Sequence, residues 1–464
     1  MKSKFIQTFE NAVYDNDFDT NDRAYVPEVW AQESLMILEE NMVMANLVHR
    51  DFEDEIQEFG DVVNTRRPGS FTAKRKGDND DVTVQDATAD KVQIPLNQYL
   101  HTSFKIRDGQ MSKSFKDLVN EFLRPAIVSI AQGVDQIILA QMHQFQANSC
   151  GKLGTDPTRG TVIAANTVLN NNSVPLEGRN MVVTPNAEGA LLDIGEFIKA
   201  NEVGDDGTAM RNAWLGTKFG FDFFMSQNAP SIDSGSVTTE SATVDGAASK
   251  GATSITYDGY SGTITAGSWV TFAGDATPQF VKASTSSILT IEPGLKRAVE
   301  DGAVITIYPT TTQNDADGDD YDANYYKSLT VTALTDTPQR GQIVTSGTTT
   351  GYNNIYGLID ASTKTSLTLD RPLGAEITNG ATIGLGPAGE FCFGFHPNAI
   401  ALISRPLAAP PADLGVRSAV VNFGGLSIRL TITYDGNGQG VLVTADLLMG
   451  VKVLDTDLGV LMYA

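Results

Sequence analysis

Between Pro230 and Pro387 the chain changes character, and that change constrains its fold more than any other feature. From Ser231 onward almost every residue is Thr, Ser, Gly, Val, Ile, Ala or Asp, arranged in short alternating runs. A period of two, interrupted every few residues by Gly, Pro, Asn or Asp, is the pattern of half-buried strands joined by tight turns. The segment also repeats itself. Residues Ser287 to Pro309 recur as Ser366 to Pro387, each reading strand, turn at a Pro, Asp-Gly-Ala or Asn-Gly-Ala, strand, closing Pro. Two copies, linked by the acidic run Asp315 to Asp322, predict two small β-modules or two halves of one barrel, and are too few for a solenoid.

The flanking sequence is of a different kind. Residues 1–25 mix Asn and Asp with Phe5, Phe9, Tyr14, Phe18 and Tyr25, too short a stretch to bury its own aromatics, so it reads as a docking arm. Residues 27–50 carry apolar positions at helical spacing. A long hairpin follows, leading out over 52–68 and back over 91–107, with Val92, Ile94 and Leu96 alternating as in a strand. Its tip, Gly69 to Asp90, has almost no large apolar residue with which to pack on its own domain.

The longest helix comes next. Phe115, Leu118, Phe122, Ile127, Ile130, Val134, Ile137, Ile138, Met142 and Phe145 recur at about 3.6 spacing. Ser114 with Asp117 supplies a capping start, and Gly151 stands just past the end. Pro125 predicts a bend within it. Residues 177–230 then read as strand (Met181–Pro185), helix (Gly189 to Ala200), acidic loop (Glu202 to Gly207) and strand (Phe219 to Met225). After Pro387 this α+β character returns, and the C-terminus is all strand-like. The expected domains are 1–50, arm and first helix; 51–107, extended hairpin; 108–150, long helix; 151–230 with 388–464, one discontinuous domain; and 231–387, an inserted all-β domain.

Charge and cysteine content narrow the function. With 33 Lys and Arg against 56 Asp and Glu, the net charge is −23. That sign opposes a protein that grips nucleic acid through its phosphates, which needs a basic face. It suits a container wall along which DNA moves freely, and equally a merely soluble surface. Cys150 and Cys392 are the only cysteines, so no disulfide framework is expected and the usage fits a reducing compartment. The first residues turn polar at once, so no cleaved signal is expected, and no run approaches the ~18 apolar residues of a membrane span.

The tools of an enzyme are missing from the sequence. His49, His101, His143 and His396 are scattered without metal-ligand spacing. Gly384, Gly386 and Gly389 match Gly-x-Gly-x-x-Gly, but Pro387 interrupts the pattern and Phe391-Cys-Phe continues as a strand, where a dinucleotide site needs a helix. Asp315, Asp317 and Asp319 resemble the start of a calcium loop. Tyr326 stands where the closing Glu belongs and Gly318 comes too early, so a solvated linker is the alternative, with weak divalent-ion binding kept open. No cofactor is expected.

The order of parts resembles the major capsid proteins of tailed bacteriophages, which share the Hong Kong 97 fold. Val26-Pro-Glu-Val-Trp30, Met181-Val-Val-Thr-Pro185, Gly220-Phe-Asp-Phe-Phe-Met-Ser-Gln-Asn228 and Pro397-Asn-Ala-Ile-Ala-Leu402 carry the likeness. So do Ile428-Arg-Leu-Thr-Ile-Thr-Tyr-Asp435 and Ala445-Asp-Leu-Leu-Met-Gly-Val451. The resemblance implies an α+β chain of N-terminal arm, E-loop hairpin, spine helix, peripheral and axial domains. The inserted β-domain is similar to that of the short-tailed Salmonella-type phages, whose single telokin-like insertion is here longer and duplicated. It further implies a non-enzymatic protein that assembles with itself into hexamers and pentamers, guided by scaffolding and portal proteins. The shell would enclose double-stranded DNA without sequence-specific binding and would form in the host bacterial cytoplasm. Decoration proteins are a further possible partner. A cargo-enclosing nanocompartment of the same fold and a β-rich carbohydrate-binding or adhesive virion protein are the alternatives.

The hairpin tip supplies the candidate contact residues. Arg66, Arg67, Lys74, Arg75 and Lys76 precede Asp78, Asp80, Asp81, Asp86 and Asp90. The acids would cancel a nucleic-acid patch beyond a Debye length of ~8–10 Å. A solvated loop and pairing of opposite charges between neighbouring subunits are the remaining readings.

Overall fold

The computed structural model of the chain describes residues 34, 42–50, 62–67, 73–76, 78, 81, 84, 90–107, 122–195, 215–229, 237–314, 328–347, 355–373, 376–410, 416–423 and 426–464. Of the helix expected over 27–50, Ser34 is helical, while Met44–Asn46 form a short 3-10 turn. The stem of the expected hairpin is β1 (Val62–Arg67) and β2 (Asp90–Pro95), antiparallel from Val62 opposite Pro95 to Arg67 opposite Asp90. Val63 and Ile94 face each other across it and are buried with Ala401 and Ile403. That buried face anchors the hairpin's root. β3 (Gln98–Arg107) then leaves the hairpin to join a sheet of the body.

The long helix is α1 (Arg124–Ala140), followed without a break by a 3-10 segment, Gln141–Asn148. One expectation is corrected here, and another falls partly outside the described residues. Pro125 is the second residue of α1 and directly follows a π-type turn at Phe122 and Leu123; residues 108–121, over which the helix is expected to begin, lie outside the described residues. The α-helical spacing stops short of Phe145. From Gln141 to Gln146 every residue is buried, so this segment is enclosed on all sides, with Met142 and Phe145 in the main core. The proposed cap at Ser114 lies outside the described residues.

β4 (Ser149–Gly151), α2 (Arg159–Asn171), β5 (Asn180–Val183), α3 (Pro185–Leu192), β6 (Thr217–Lys218) and β7 (Phe221–Met225) follow. α3 begins at Pro185, not at the expected Gly189. Thr184 is its N-cap, its hydroxyl accepting the Ala187 amide at 3.2 Å, and Pro185 takes the first helical position with its φ already set. The last strand is shorter than expected because Phe219 and Gly220, at φ 52° and 83°, form a turn before it. The acidic loop 202–207 lies outside the described residues.

The β-segment is two modules. The first has β8 (Glu240–Val244), β9 (Ser254–Asp258), β10 (Trp269–Phe272), β11 (Asp275–Ser284), β12 (Ile288–Glu292) and β13 (Val304–Ile307), closed as a barrel in the order β10-β11-β12-β9-β8-β13. The second has β14 (Thr310–Thr312), β15 (Ser328–Thr330), β16 (Gln342–Ser346), β17 (Ile355–Thr363), β18 (Ser366–Leu369) and β19 (Thr382–Ala388), in the order β14-β19-β16-β17-β18-β15. Strand for strand these orders are the same, and a bridge between Gln313 and Val331 joins the two ends of the second sheet. The duplication therefore covers six strands per copy, while the sequence repeat had disclosed only the last two.

The chain ends with β20 (Phe391–Phe395), β21 (Ile400–Arg405), β22 (Arg417–Phe423), β23 (Leu426–Asp435), β24 (Gly440–Val453) and β25 (Gly459–Tyr463). One sheet, in the order β4-β25-β20-β5-β7-β6, draws strands from both sides of the β-segment. The second joins β21, β24, β23 and β22, with β3 paired along β24 from Gly440 to Met449. α1 and the 3-10 segment share the largest core with residues of both sheets, including Phe393, Phe395, Leu430, Leu447 and Met449. Each module has a core of its own, around Val270, Ile291 and Ile305 in the first and Val344, Leu358 and Leu385 in the second.

Candidate assembly surface

The hairpin tip meets solvent wherever it is described. Lys74, Arg75, Lys76, Asp78 and Asp81 are all exposed, and none has a hydrogen bond or ion pair with another described residue. Arg66 and Arg67 sit in β1 opposite Lys91 and Asp90, while Asp80 lies outside the described residues. The stem is built by cross-strand pairing and a small apolar root, whereas the described tip residues are charged apart from Ala73 and the exposed Val84. Among the described residues nothing bonds to Lys74, Arg75, Lys76, Asp78 or Asp81.

The other sequence candidates resolve as structure. Asp315, Asp317 and Asp319 lie outside the described residues, and no group of three His, Cys, Asp or Glu suited to a metal occurs among the described ones. The three glycines of the Gly-x-Gly-x-x-Gly pattern serve packing. A Cβ on Gly384 would strike the carbonyl oxygen of Gly267, one on Gly386 would lie 3.0 Å from Ile343 and Trp269, and one on Gly389 would strike Leu153. Gly384 thereby lets the second module press its backbone against the first, and Gly386 makes room for the Trp269 ring.

Two buried polar clusters escaped the sequence. Asp135 lies on the core side of α1, fully buried, and accepts the amides of Val43 at 2.9 Å and Met44 at 3.1 Å, capping from a distance the turn that begins there. Burial, partly offset by those amides, pushes its carboxyl up to about 6. The second cluster ties the 3-10 segment to the second module. Arg371 donates to Gln141 Oε1 at 3.0 Å and to the Ile355 carbonyl at 2.7 Å, with its guanidinium 4.8 Å above the Tyr356 ring. His143 lies 3.7 Å from Asp370, beyond hydrogen-bond reach. Burial, with Arg371 nearby, drives this imidazole down to about 3, so it is neutral and the contact is no ion pair. The only signal in the sequence for either cluster is a charged or polar residue on an otherwise apolar face.

No family model matches the chain, and no curated protein matches it. Solved structures similar to it include that of Mycobacterium phage Che8, at 14% identity and TM-score 0.43, covering 91% of this chain and 90% of that one. The capsid structure of cyanophage P-SCSP1u is similar at 11% identity and TM-score 0.41, covering 88% and 84%. The capsid of Ralstonia phage GP4 is similar at 9% identity and TM-score 0.40, covering 90% and 87%. The identities and scores are low, and those names describe those proteins. Among the described residues no helix is long and apolar enough to cross a membrane.

Proposed function

We propose that the chain is the major capsid protein of a tailed bacteriophage, a structural protein that self-assembles into an icosahedral shell around double-stranded DNA. The observation that carries this reading is the hairpin: a paired stem with a buried root and a charged tip that nothing described on its own chain engages. A shell subunit would use such a hairpin to overlap its neighbour. The sequence order supports the same reading, with hairpin, edge strand β3, core helix α1 and two sheets following one another as the resemblance implies. The β-modules stand between β7 and β20 of one sheet, which supports kinship with the Salmonella-type coat proteins, although the duplication departs from them. Hexamers and pentamers, a scaffolding protein, a portal and decoration proteins belong to this proposal as partners, and the virion capsid as its location. Acidic residues facing DNA would keep it unbound and mobile.

Electron microscopy of the chain expressed with its scaffolding protein tests the reading. Uniform closed shells tens of nanometres across are expected. A monomer at every concentration, scaffold present, would refute it, and shells filled with protein and never with DNA would favour a nanocompartment.

A further inference from the structure

The seam between the two β-modules holds a cleft of about 590 Å³, within the range of small-ligand sites. β8, the β9–β10 connection and the end of β13 form one wall. β14, β19 and the segment after β15 form the other, and Tyr308 and Pro309 link the two. Eight threonines line the cleft, together with Glu240, Asp336, Tyr260 and Tyr308, and no Lys or Arg does.

That chemistry selects among ligands. The two carboxylates give the lining a negative charge, offset only from outside it by Lys364, which donates to the Thr335 carbonyl beside Asp336, and this disfavours an anion, phosphate included. A bound metal is disfavoured because both carboxylates already serve protein donors: Tyr260 donates to Glu240 Oε2 at 2.5 Å, and the Thr238 amide and hydroxyl both donate to Asp336 Oδ2. Each keeps a second oxygen that no described residue engages. The hydroxyls of Thr335 and Thr382 likewise have no hydrogen-bond partner among the described residues. Spare acceptors, hydroxyls that both donate and accept, and two half-buried aromatic rings complement a neutral polyhydroxylated ring with apolar C–H faces.

The walls are also held rigidly. Across the seam Trp269 Nε1 donates to Thr345 Oγ1 at 2.7 Å, Gly384 sits against the Gly267 backbone, and Gly386 sits against the Trp269 ring. The linker is pinned by Tyr308 N to the Trp269 carbonyl at 2.9 Å and Leu385 N to the Pro309 carbonyl at 3.1 Å. A cleft already in shape spends little binding energy on ordering itself. We propose that this inter-module cleft binds a neutral oligosaccharide, recognised by Glu240, Asp336 and the threonine hydroxyls, with Tyr260 as the stacking platform. The site stands whether or not the chain builds a shell.

The experiment titrates the labelled full-length chain with maltohexaose, cellohexaose, mannohexaose and the chitin hexamer. Saturable binding of at least one is expected, with Kd on the order of 1 mM. It should persist in a chelator and up to about 0.5 M salt, since no ion and no ligand charge takes part. Tyr260→Ala should weaken it at least about tenfold at an unchanged melting temperature. Thr335→Val, an exposed change that leaves the fold alone, should weaken it about threefold and serves if Tyr260→Ala melts early. No saturable binding to any of the four sugars, loss of binding in chelator, wild-type affinity in a folded Tyr260→Ala, or wild-type affinity in Thr335→Val where Tyr260→Ala melts early would overturn the proposal.

Discussion

At the scale of single residues, Asp135 is where the fold and pH meet. Its carboxyl is raised to about 6 in the folded chain, against 3.8 for a free aspartate. Between those values the folded chain holds a proton that the unfolded chain releases. Stability through this group is thus fully present below about pH 4 and is lost as pH rises through about 6. The contribution is on the order of 2–3 kcal/mol. Asp135→Asn cannot titrate, so denaturant melts should show wild type gaining on this variant by that amount between pH 7 and pH 4. A constant difference would mean that the backbone amides of Val43 and Met44 dominate over burial. Asp135→Ala leaves both amides without a partner and should destabilise by about 2–4 kcal/mol at pH 7, with the same further pH-dependent deficit at pH 4, because Ala cannot titrate either. Gly384 tests a different force. Its missing side chain is the space in which the two modules touch, so Gly384→Ala should lower stability by about 1–3 kcal/mol in urea melts.

At the scale of elements, period-two alternation explains how the β-modules dock. In β10 and β11, Trp269 and Phe280 face the main core while Val270 and Val281 face the barrel interior. In β16 and β17, the equivalent strands of the second copy, Ile343 and Ile355 face the main core while Val344 and Tyr356 face inward. The duplicated hairpins thus reuse one outer face for one purpose, because side chains on a strand can only alternate between two faces. The other hairpin, β1 with β2, carries Lys74, Arg75 and Lys76 at its tip, exposed and without a bond to another described residue. Reversing Lys74, Arg75 and Lys76 to Glu should leave the melting temperature within about 2 °C, since exposed charges contribute ~0–1 kcal/mol each. Assembly should suffer, most at low salt, because such contacts are repeated throughout a shell and fix its register. Normal shell yield from the triple variant across a salt series would leave the tip as a solvated loop.

At the scale of the whole molecule, the β-segment is both separate and shared. Its two modules have complete cores, so the fragment 231–387 should fold cooperatively with β-type circular dichroism. Four large side chains that belong to the main core, Trp269, Phe280, Ile343 and Ile355, would then face water at about 1.5–3 kcal/mol each. The isolated fragment should therefore bind a hydrophobic dye and melt below the full-length chain. An unstructured fragment would show that the body, and not the module cores, holds these strands together.

The sequence by itself determined what depends on neighbours along the chain. The β-segment between two α+β stretches, the hairpin stem with its polar tip and the apolar face of α1 are patterns of period two or 3.6, legible without any fold. The start of α3 at Thr184-Pro185 was legible too, through its capping chemistry, though the apolar spacing pointed later. What tertiary structure alone decided is which distant groups share a space. The Ser287–Pro309 repeat could announce a duplication, but only strand order shows that it spans six strands per copy. Asp135 on an apolar face, His143 beside Asp370, and glycines that resemble a nucleotide motif yet serve a seam between modules could not be read from spacing. Burial and the close approach of backbones are set by residues tens to hundreds of positions away. For the same reason the threonines of the inter-module cleft are scattered from 238 to 382 in the chain, and only the docking of one copy on the other gathers them into a site.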